Sequence, residues 1–220
     1  MNKTYCVSDI HGRYDLFQKL KDMMDETDKC YVLGDCADRG SNGWDIIAEV
    51  RSDDRFIYLK GNHEDMLAKA IKNGVKSKDY HLLRQNGGQI TYSDWFSKTD
   101  ADTSWADYFD SLPEWVCYTN SSDVKVHLSH AGFTPGVTYD FLWDRSHYLY
   151  DWDGTDIIIH GHTPIPFMRE EVNGEDFVKE VYEPFWYSND RKCCIDSLSA
   201  FTGKLLVLDL DWFSFTLLEA

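Results

Sequence analysis

Proline is scarce in this chain, at 5 of 220 residues. Neither proline-rich linkers nor a polyproline scaffold is therefore in play. No apolar run approaches the ~20 residues that a membrane-spanning helix needs. The opening stretch, MNKTYCVSDIHG, lacks the apolar segment of a secretory signal, so a cytoplasmic location is expected. Basic residues are also in short supply, 22 against 38 acidic ones, leaving a net charge of -16. Such a surface repels a phosphate backbone and anionic lipid, which excludes stable nucleic-acid binding and membrane docking. Any site that handles phosphate must bring its own local positive charge. The cysteines at 6, 30, 36, 117, 193 and 194 form no CxxC pair and no zinc-finger spacing. Reduced, space-filling thiols are expected, with Cys193 and Cys194 facing opposite ways along a strand.

What is present reads as an ordinary globular chain, 43% hydrophobic and 27% charged. Its length suits one domain over residues 1–220. The first third alternates strand and helix patterns. Strands are expected over Lys3–Ser8, Cys30–Leu33 and Phe56–Leu59, with helices over Tyr14–Met24, Trp44–Val50 and Met66–Ile71. That βαβαβ order implies parallel strands joined by crossover helices. Residues 78–112 read as helices with loops. Later strands are expected over Glu114–Tyr118, Val124–Leu128, Asp156–Ile159, Cys193–Ile195, Leu205–Leu208 and Phe213–Leu217, forming a second, largely antiparallel sheet. Thr202-Gly203-Lys204 reads as a hairpin turn, and residues 165–192 as a rim loop or hairpin. The class is α/β, with two sheets packed face to face and helices outside.

Each of the first three strands ends in a polar cluster: Asp9-Ile10-His11-Gly12, then Gly34-Asp35-Cys36-Ala37-Asp38-Arg39-Gly40, then Gly61-Asn62-His63-Glu64. The ends of parallel strands lie along one edge, where α/β proteins place their sites. Carboxylates and imidazoles gathered there need neutralising charge, which a divalent cation supplies. Two cations sharing Asp35 explain the number of such residues better than one. Asp9 and His11 can face the same way along an extended strand end. Asn62 can offer its amide oxygen to a second ion, and further nitrogen ligands are available in His130-Ala131-Gly132 and His160-Gly161-His162-Thr163. Oxygen and imidazole donors without thiolate favour Mn2+, with iron or zinc as further options.

In this combination and order, over about Thr4 to Asp209, the chain resembles the calcineurin-like metallophosphoesterases. More narrowly it resembles their serine/threonine protein phosphatase branch in its small bacterial and bacteriophage lambda phosphatase form. The resemblance implies a four-layer α/β/β/α sandwich of two mixed β-sheets flanked by helices, holding two divalent metal ions. It implies Asp9 and His11 on the first metal, Asp35 bridging, and Asn62, His130 and His162 on the second. It also implies His63 as catalytic acid with Asp38 as its partner, and Arg39 and, by a looser match, Arg145 as phosphate-binding groups, with Asn62 at the substrate as well. His160 is then packed nearby rather than a ligand, and His81 and His147 are expected at the surface or rim. Trp143 and the aromatic run at Trp186 are candidates to stack on a substrate base, although core or wall positions are the commoner use of such residues. Cys36 suggests an activity sensitive to oxidants. Ile195-Asp196-Ser197-Leu198 departs from the Asp-Thr-Gly of relatives and leaves the substrate rim open. The expected reaction is hydrolysis of phosphate monoesters, first on phosphoserine or phosphothreonine in proteins and on small phosphate esters. The alternative is hydrolysis of dinucleoside polyphosphates such as diadenosine tetraphosphate. A nuclease ranks lower, and a non-catalytic binding module on the same fold ranks last because no candidate ligand is missing.

Overall fold

The structure is a computed structural model and describes residues 2–220. Strands β1 (Thr4–Val7), β2 (Lys29–Val32) and β3 (Phe56–Tyr58) alternate with helices α1 (Tyr14–Met23) and α2 (Gly43–Ser52). β1 pairs parallel with β2, and β2 with β3. Four helices follow: α3 (Asn62–Asn73), α4 (Lys78–Gln85), α5 (Gln89–Lys98) and α6 (Ser104–Ser111). The second half holds β4 (Trp115–Thr119), β5 (Lys125–Ser129), β6 (Ile157–His160), α7 (Ile165–Asn173), β7 (Phe185–Tyr187), β8 (Lys192–Cys194), the short α8 (Ser199–Thr202), β9 (Lys204–Asp209) and β10 (Phe215–Glu219).

The two five-stranded sheets run β10-β9-β1-β2-β3 and β4-β5-β6-β8-β7. Both are mixed. The second sheet is not largely antiparallel as expected, because β5, β6 and β8 run parallel and only its edge strands β4 and β7 are reversed. The last two strands belong to the first sheet, β9 lying antiparallel to β1 and β10 to β9. Alternation in the final strands says that one face is buried, but not against which sheet. Gly203, with φ +70°, ends α8 and turns the chain into β9. Thr202-Gly203-Lys204 is thus a helix exit rather than a hairpin turn. Residues 165–192 supply a helix, a loop and one strand of the β7–β8 hairpin.

Side-chain alternation separates three apolar layers. Tyr5 and Val7 of β1 join Leu16, Phe17, Ile46 and Leu67 between the first sheet and its helices. Cys6 faces the other way, meeting Leu33, Leu128, Ile159, Cys193 and Leu208 between the sheets. Cys194 packs outward with Ile165, Met168 and Phe185 beneath α7. The result is a sandwich ordered helix, sheet, sheet, helix. Carboxyl ends of the parallel strands in both sheets open onto one edge.

A fully buried lysine braces a loop at that edge. Lys192 Nζ donates to Thr134 Oγ1 at 2.6 Å, to the His147 carbonyl at 2.9 Å and to the Tyr150 carbonyl at 2.7 Å. These acceptors flank Arg145. His147 is itself buried, against the expectation of a rim position, because its Nδ1 bonds to Tyr187 Oη at 3.0 Å and its ring packs on His160 at 4.5 Å between centroids. Burial pulls the Lys192 ammonium down to about 8 from 10.5, against the nearby charges of Asp151 and Asp144. Between those two values the unfolded chain holds the extra proton, so this group adds to folding stability as pH rises through the window. In thermal unfolding, the Tm of the wild type relative to Lys192→Met should therefore increase from about pH 8 to 10.5. A difference that stays flat with pH would contradict this placement.

Candidate metal centre and active site

The loops after β1 and β2 run side by side. The amide of Asp9 donates to Gly34 O at 3.3 Å, His11 to Asp35 O at 2.9 Å and Gly12 to Cys36 O at 2.9 Å. In the second sheet, Gly161 N donates to His130 O at 2.9 Å. The two sets are joined directly by the His162 amide, which donates to Asp9 Oδ2 at 3.0 Å, and by His130 Nδ1, which donates to Leu33 O at 2.7 Å. Asp9 (φ +53°), His11 (+46°), Asp35 (+55°), Asp38 (+69°), Arg39 (+62°) and His162 (+65°) all have left-handed backbones. Asp9 and His11 therefore converge by leaving the strand and not by sharing a face of an extended segment. Each such residue costs about 1–3 kcal/mol, a strain that concentrates at functional sites.

All the sequence-predicted site residues come together here. The imidazole of His11 donates from Nδ1 to Ala37 O at 2.7 Å, which leaves a lone pair on Nε2. That atom is buried without a hydrogen-bond partner, 3.7 Å from Asp9 Oδ1 and 3.5 Å from Asp35 Oδ2. His130 repeats the arrangement. Its Nδ1 donates to Leu33 O at 2.7 Å, and Nε2 faces Asp35 Oδ1 at 3.4 Å and Asn62 Oδ1 at 2.8 Å. His162 Nδ1 lies 3.2 Å from His130 Nε2, and its Nε2 accepts from Arg145 Nε at 3.2 Å.

Lone pairs converging on one another without intervening hydrogens are what a cation site requires. Two buried groups bring their ligand atoms close enough to hold a cation, His11, Asp35 and His63 in one and Asp9, Asp35 and His130 in the other, with Asp35 common to both. Asn62 Oδ1 adjoins the second group at His130 Nε2. Their protonation tendencies agree. Burial pushes Asp35 well above the ordinary carboxylate range, reinforced by the negative charges of Asp9 and Glu64. Asp9 is held low, since His130, His11 and the Ser8 hydroxyl outweigh its burial. Burial pulls His11 and His162 well down, so both rings are neutral.

His63 stands beside this cluster at the start of α3. Its Nδ1 donates to Asp38 Oδ2 at 2.6 Å, while Nε2 lies 3.7 Å from Asp35 Oδ2 and accepts from Arg39 Nη2 at 3.3 Å. Burial raises Asp38 to about 7, opposed by Thr91 and Arg39. Burial also lowers His63, and the charge of Arg39 adds to that. Arg39 and Arg145 both line a cavity of about 490 Å³ at this edge.

Three supporting groups escape sequence reasoning in these roles. Glu64 is fully buried and accepts from the amides of Asp35 (2.8 Å), Cys36 (3.1 Å) and Gly61 (2.9 Å), and from Tyr58 Oη (2.7 Å). It fixes the loop that presents Asp35. The Ser199 hydroxyl donates to the carbonyls of Asp9 and Ile10, clamping the first loop from the far end of the chain. Asp196 is buried near Asp9, and burial and that charge push it well up. Of these, Glu64 left a sequence trace in the Gly-Asn-His-Glu motif and Asp196 in the Ile195-Asp196-Ser197-Leu198 segment, whereas Ser199 left none. Cys36 corrects an expectation. It is wholly buried, and burial with Glu64 raises its thiol, so the structure gives oxidants no reactive thiolate there. Trp186 packs on Phe213 instead of lining the cavity, whereas Trp143 lies with its ring centroid 6.1 Å from that of His162.

Gly61 makes the close packing around Asp35 possible. A Cβ there would sit 2.2 Å from Asp35 Oδ1 and 2.7 Å from Glu64 Oε2. With φ at -99°, its backbone would accept alanine without strain, so the objection is purely steric. Gly61→Ala should weaken manganese binding by about 10- to 100-fold in calorimetric titration, in line with other supporting shells. Wild-type affinity in this variant would contradict the cradle.

The sequence model for calcineurin-like phosphoesterases matches residues 3–166. A bis(5'-nucleosyl)-tetraphosphatase (symmetrical) of Legionella pneumophila is 30% identical over 152 residues, 64% of this chain and 46% of that protein. One from Erwinia tasmaniensis is 28% identical over 142 residues, 60% of this chain and 45% of its own length. The matches thus span just under half the length of these curated relatives. A solved structure assigned provisionally as a diadenosine tetraphosphatase superposes with a TM-score of 0.65 at 15% identity, covering 99% of this chain and 93% of the other. A serine/threonine phosphatase from Saccharomyces cerevisiae gives 0.58 at 14%, covering 100% and 80%. These two likenesses are of fold. With its matching family model and two mixed sheets, the chain belongs to the calcineurin-like phosphoesterases.

Proposed function

We propose that this chain is a hydrolase that uses two divalent cations to cleave phosphoryl groups, with dinucleoside polyphosphates such as diadenosine tetraphosphate as its preferred substrate class. The observation that carries the hydrolytic reading is the lone-pair cluster of His11, His130, Asp9, Asp35 and Asn62 with Arg39 and Arg145 at its mouth. The substrate class rests on the tetraphosphatases that the chain resembles across its matched stretch. Phosphoserine or phosphothreonine in proteins is the second reading, favoured by the pairing of His63 with Asp38.

Asp9, His11 and Asp35 would hold one ion, and Asp35, Asn62, His130 and His162 would hold the other. Manganese suits this oxygen and imidazole set. When bound, such ions supply electrophilic pull on the phosphoryl oxygens and bring the pKa of water toward neutrality. Arg39 and Arg145 grip the equatorial oxygens as charge develops. His63 is neutral in the free protein, so to act as the acid it takes up a second proton, on Nε2, when the phosphate's negative charge enters, and it passes that proton to the leaving oxygen as the phosphorus–oxygen bond breaks, while Asp38 holds the ring in position. Four positive groups make a pocket for an anion in a protein of net charge -16. No helix among the described residues is long and apolar enough to cross a membrane. With six free cysteines, the reading places the protein in the cytoplasm.

The test is a turnover panel with manganese, comparing diadenosine tetraphosphate, a phosphothreonine peptide and an aryl phosphate. The tetraphosphate should have the highest kcat/KM, and preference for the peptide would transfer the assignment to the second reading. His63→Asn should bind manganese normally yet lose about 10²- to 10⁴-fold in kcat on substrates with poor leaving groups. An undiminished rate on those substrates would remove His63 from the reaction.

A further inference from the structure

The cavity has a mixed lining. Arg39, Arg145 and His162 share it with Gln85, Asn86 and Gly87 and with the apolar Pro164, Phe167, Leu198 and Phe201. Phe201 is 58% exposed and Phe167 44%, so neither aromatic ring is needed to fill the core. The apolar side is nonetheless firmly built. Leu198 is left-handed at φ +57°, and its amide donates to Asp196 Oδ1 at 2.8 Å. The Thr202 hydroxyl closes the turn onto Ser197 O at 2.9 Å, and Ser197 Oγ donates to Lys204 O at 2.8 Å. Ser199 then ties the same turn to the backbone of Asp9 and Ile10. The turn that carries Phe201 is therefore fixed relative to the loop that carries Asp9 and His11.

We propose that the Leu198–Phe201 turn and Phe167 form a specificity wall that stacks a flat heteroaromatic ring, a nucleobase, while the attached phosphate lies on Arg39 and Arg145. The inference rests on the phosphoesterase reading for the phosphate end and deepens it at the other. Each component has a physical basis. Two guanidinium groups recognise a compact anion, and exposed rings recognise a planar π-surface without regard to its sequence or sugar. A cavity of about 490 Å³ is the size of a small-molecule site. A nucleotide suits it better than a phosphopeptide, because the apolar lining is a single turn and one further ring in a cavity of small-molecule size that the two arginines also line. Leu198 and Pro164 extend the same apolar surface.

The test uses the full chain loaded with manganese. Calorimetry compares adenosine 5'-monophosphate with ribose 5-phosphate, which differ only in the base, while phosphate release is followed in parallel. The wild type should bind the nucleotide about tenfold more tightly, within the range that one base–aromatic stack contributes. In Phe201→Ala and Phe167→Ala the ratio should fall toward one, with ribose 5-phosphate affinity unchanged. Phe201→Trp should preserve the ratio. Because both rings are largely exposed, the alanine variants should fold, and circular dichroism checks this. Equal affinities in the wild type would overturn the wall. So would a ratio unaffected by either alanine variant, or a selective loss of phosphopeptide binding in these variants with the nucleotide ratio intact. A protein that prefers the nucleotide but turns over no phosphate ester would refute the hydrolase reading and leave the wall standing.

Discussion

The arrangement depends on a charge problem that the protein cannot solve with its own hydrogens. Lone pairs on His11 and His130 meet the carboxylates of Asp9 and Asp35 and the amide oxygen of Asn62 at 2.8–3.7 Å. The two imidazoles have already committed their hydrogens to the carbonyls of Ala37 and Leu33. Buried acceptors set against acceptors are destabilising unless a cation joins them. Family membership and this donor chemistry agree on that answer. The acidic surface and the scarcity of basic residues then acquire a meaning. Arg39 and Arg145 bring local positive charge to the cavity, where an anion can use it.

Holding the cluster together involves costs elsewhere in the fold. Six of its residues adopt left-handed backbones, which local sequence alone does not favour. The strain is sustained by long-range bonds. Glu64 collects amides from the Asp35 loop, and Ser199 reaches back to Asp9 and Ile10 across most of the chain. Gly61 and Gly161 leave room where a methyl group would collide with Asp35 and with Ser8 and Asp9, respectively. The sheets thus bring the loops to one edge, and these secondary contacts convert proximity into geometry. Lys192 does the same for the loop bearing Arg145, with all three of its bonds directed at that segment.

Much of this was legible in the residues themselves. Asp9, His11, Asp35, Asp38, Asn62 and His63 stand at the ends of three strands whose apolar periodicity is plain, and parallel strands oblige those ends to share an edge. His130 and His162 follow the same logic in the second sheet. His160 is packed, as expected, with Nε2 bonded to Tyr187 Oη at 2.8 Å. Other features depend on pairings between distant segments, for which alternation carries no address. The return of β9 and β10 to the first sheet is of this kind, as is the parallel core of the second. His147 looked like a rim residue because nothing nearby in the chain announces its contacts with Tyr187 and His160. Glu64 was visible as a motif letter, but its role depends on amides 27–29 residues away. The reactivity expected of Cys36 failed for a related reason, since adjacency to Asp35 in sequence says nothing about exposure.

The central claim is a pair of cations sharing Asp35. Anomalous diffraction at the manganese edge, from crystals grown with the ion in excess, tests it most directly. The account predicts two peaks with the Asp35 carboxylate between them, one against Asp9 and His11 and the other against Asn62, His130 and His162. A single peak, or peaks beyond the reach of Asp35, would contradict it.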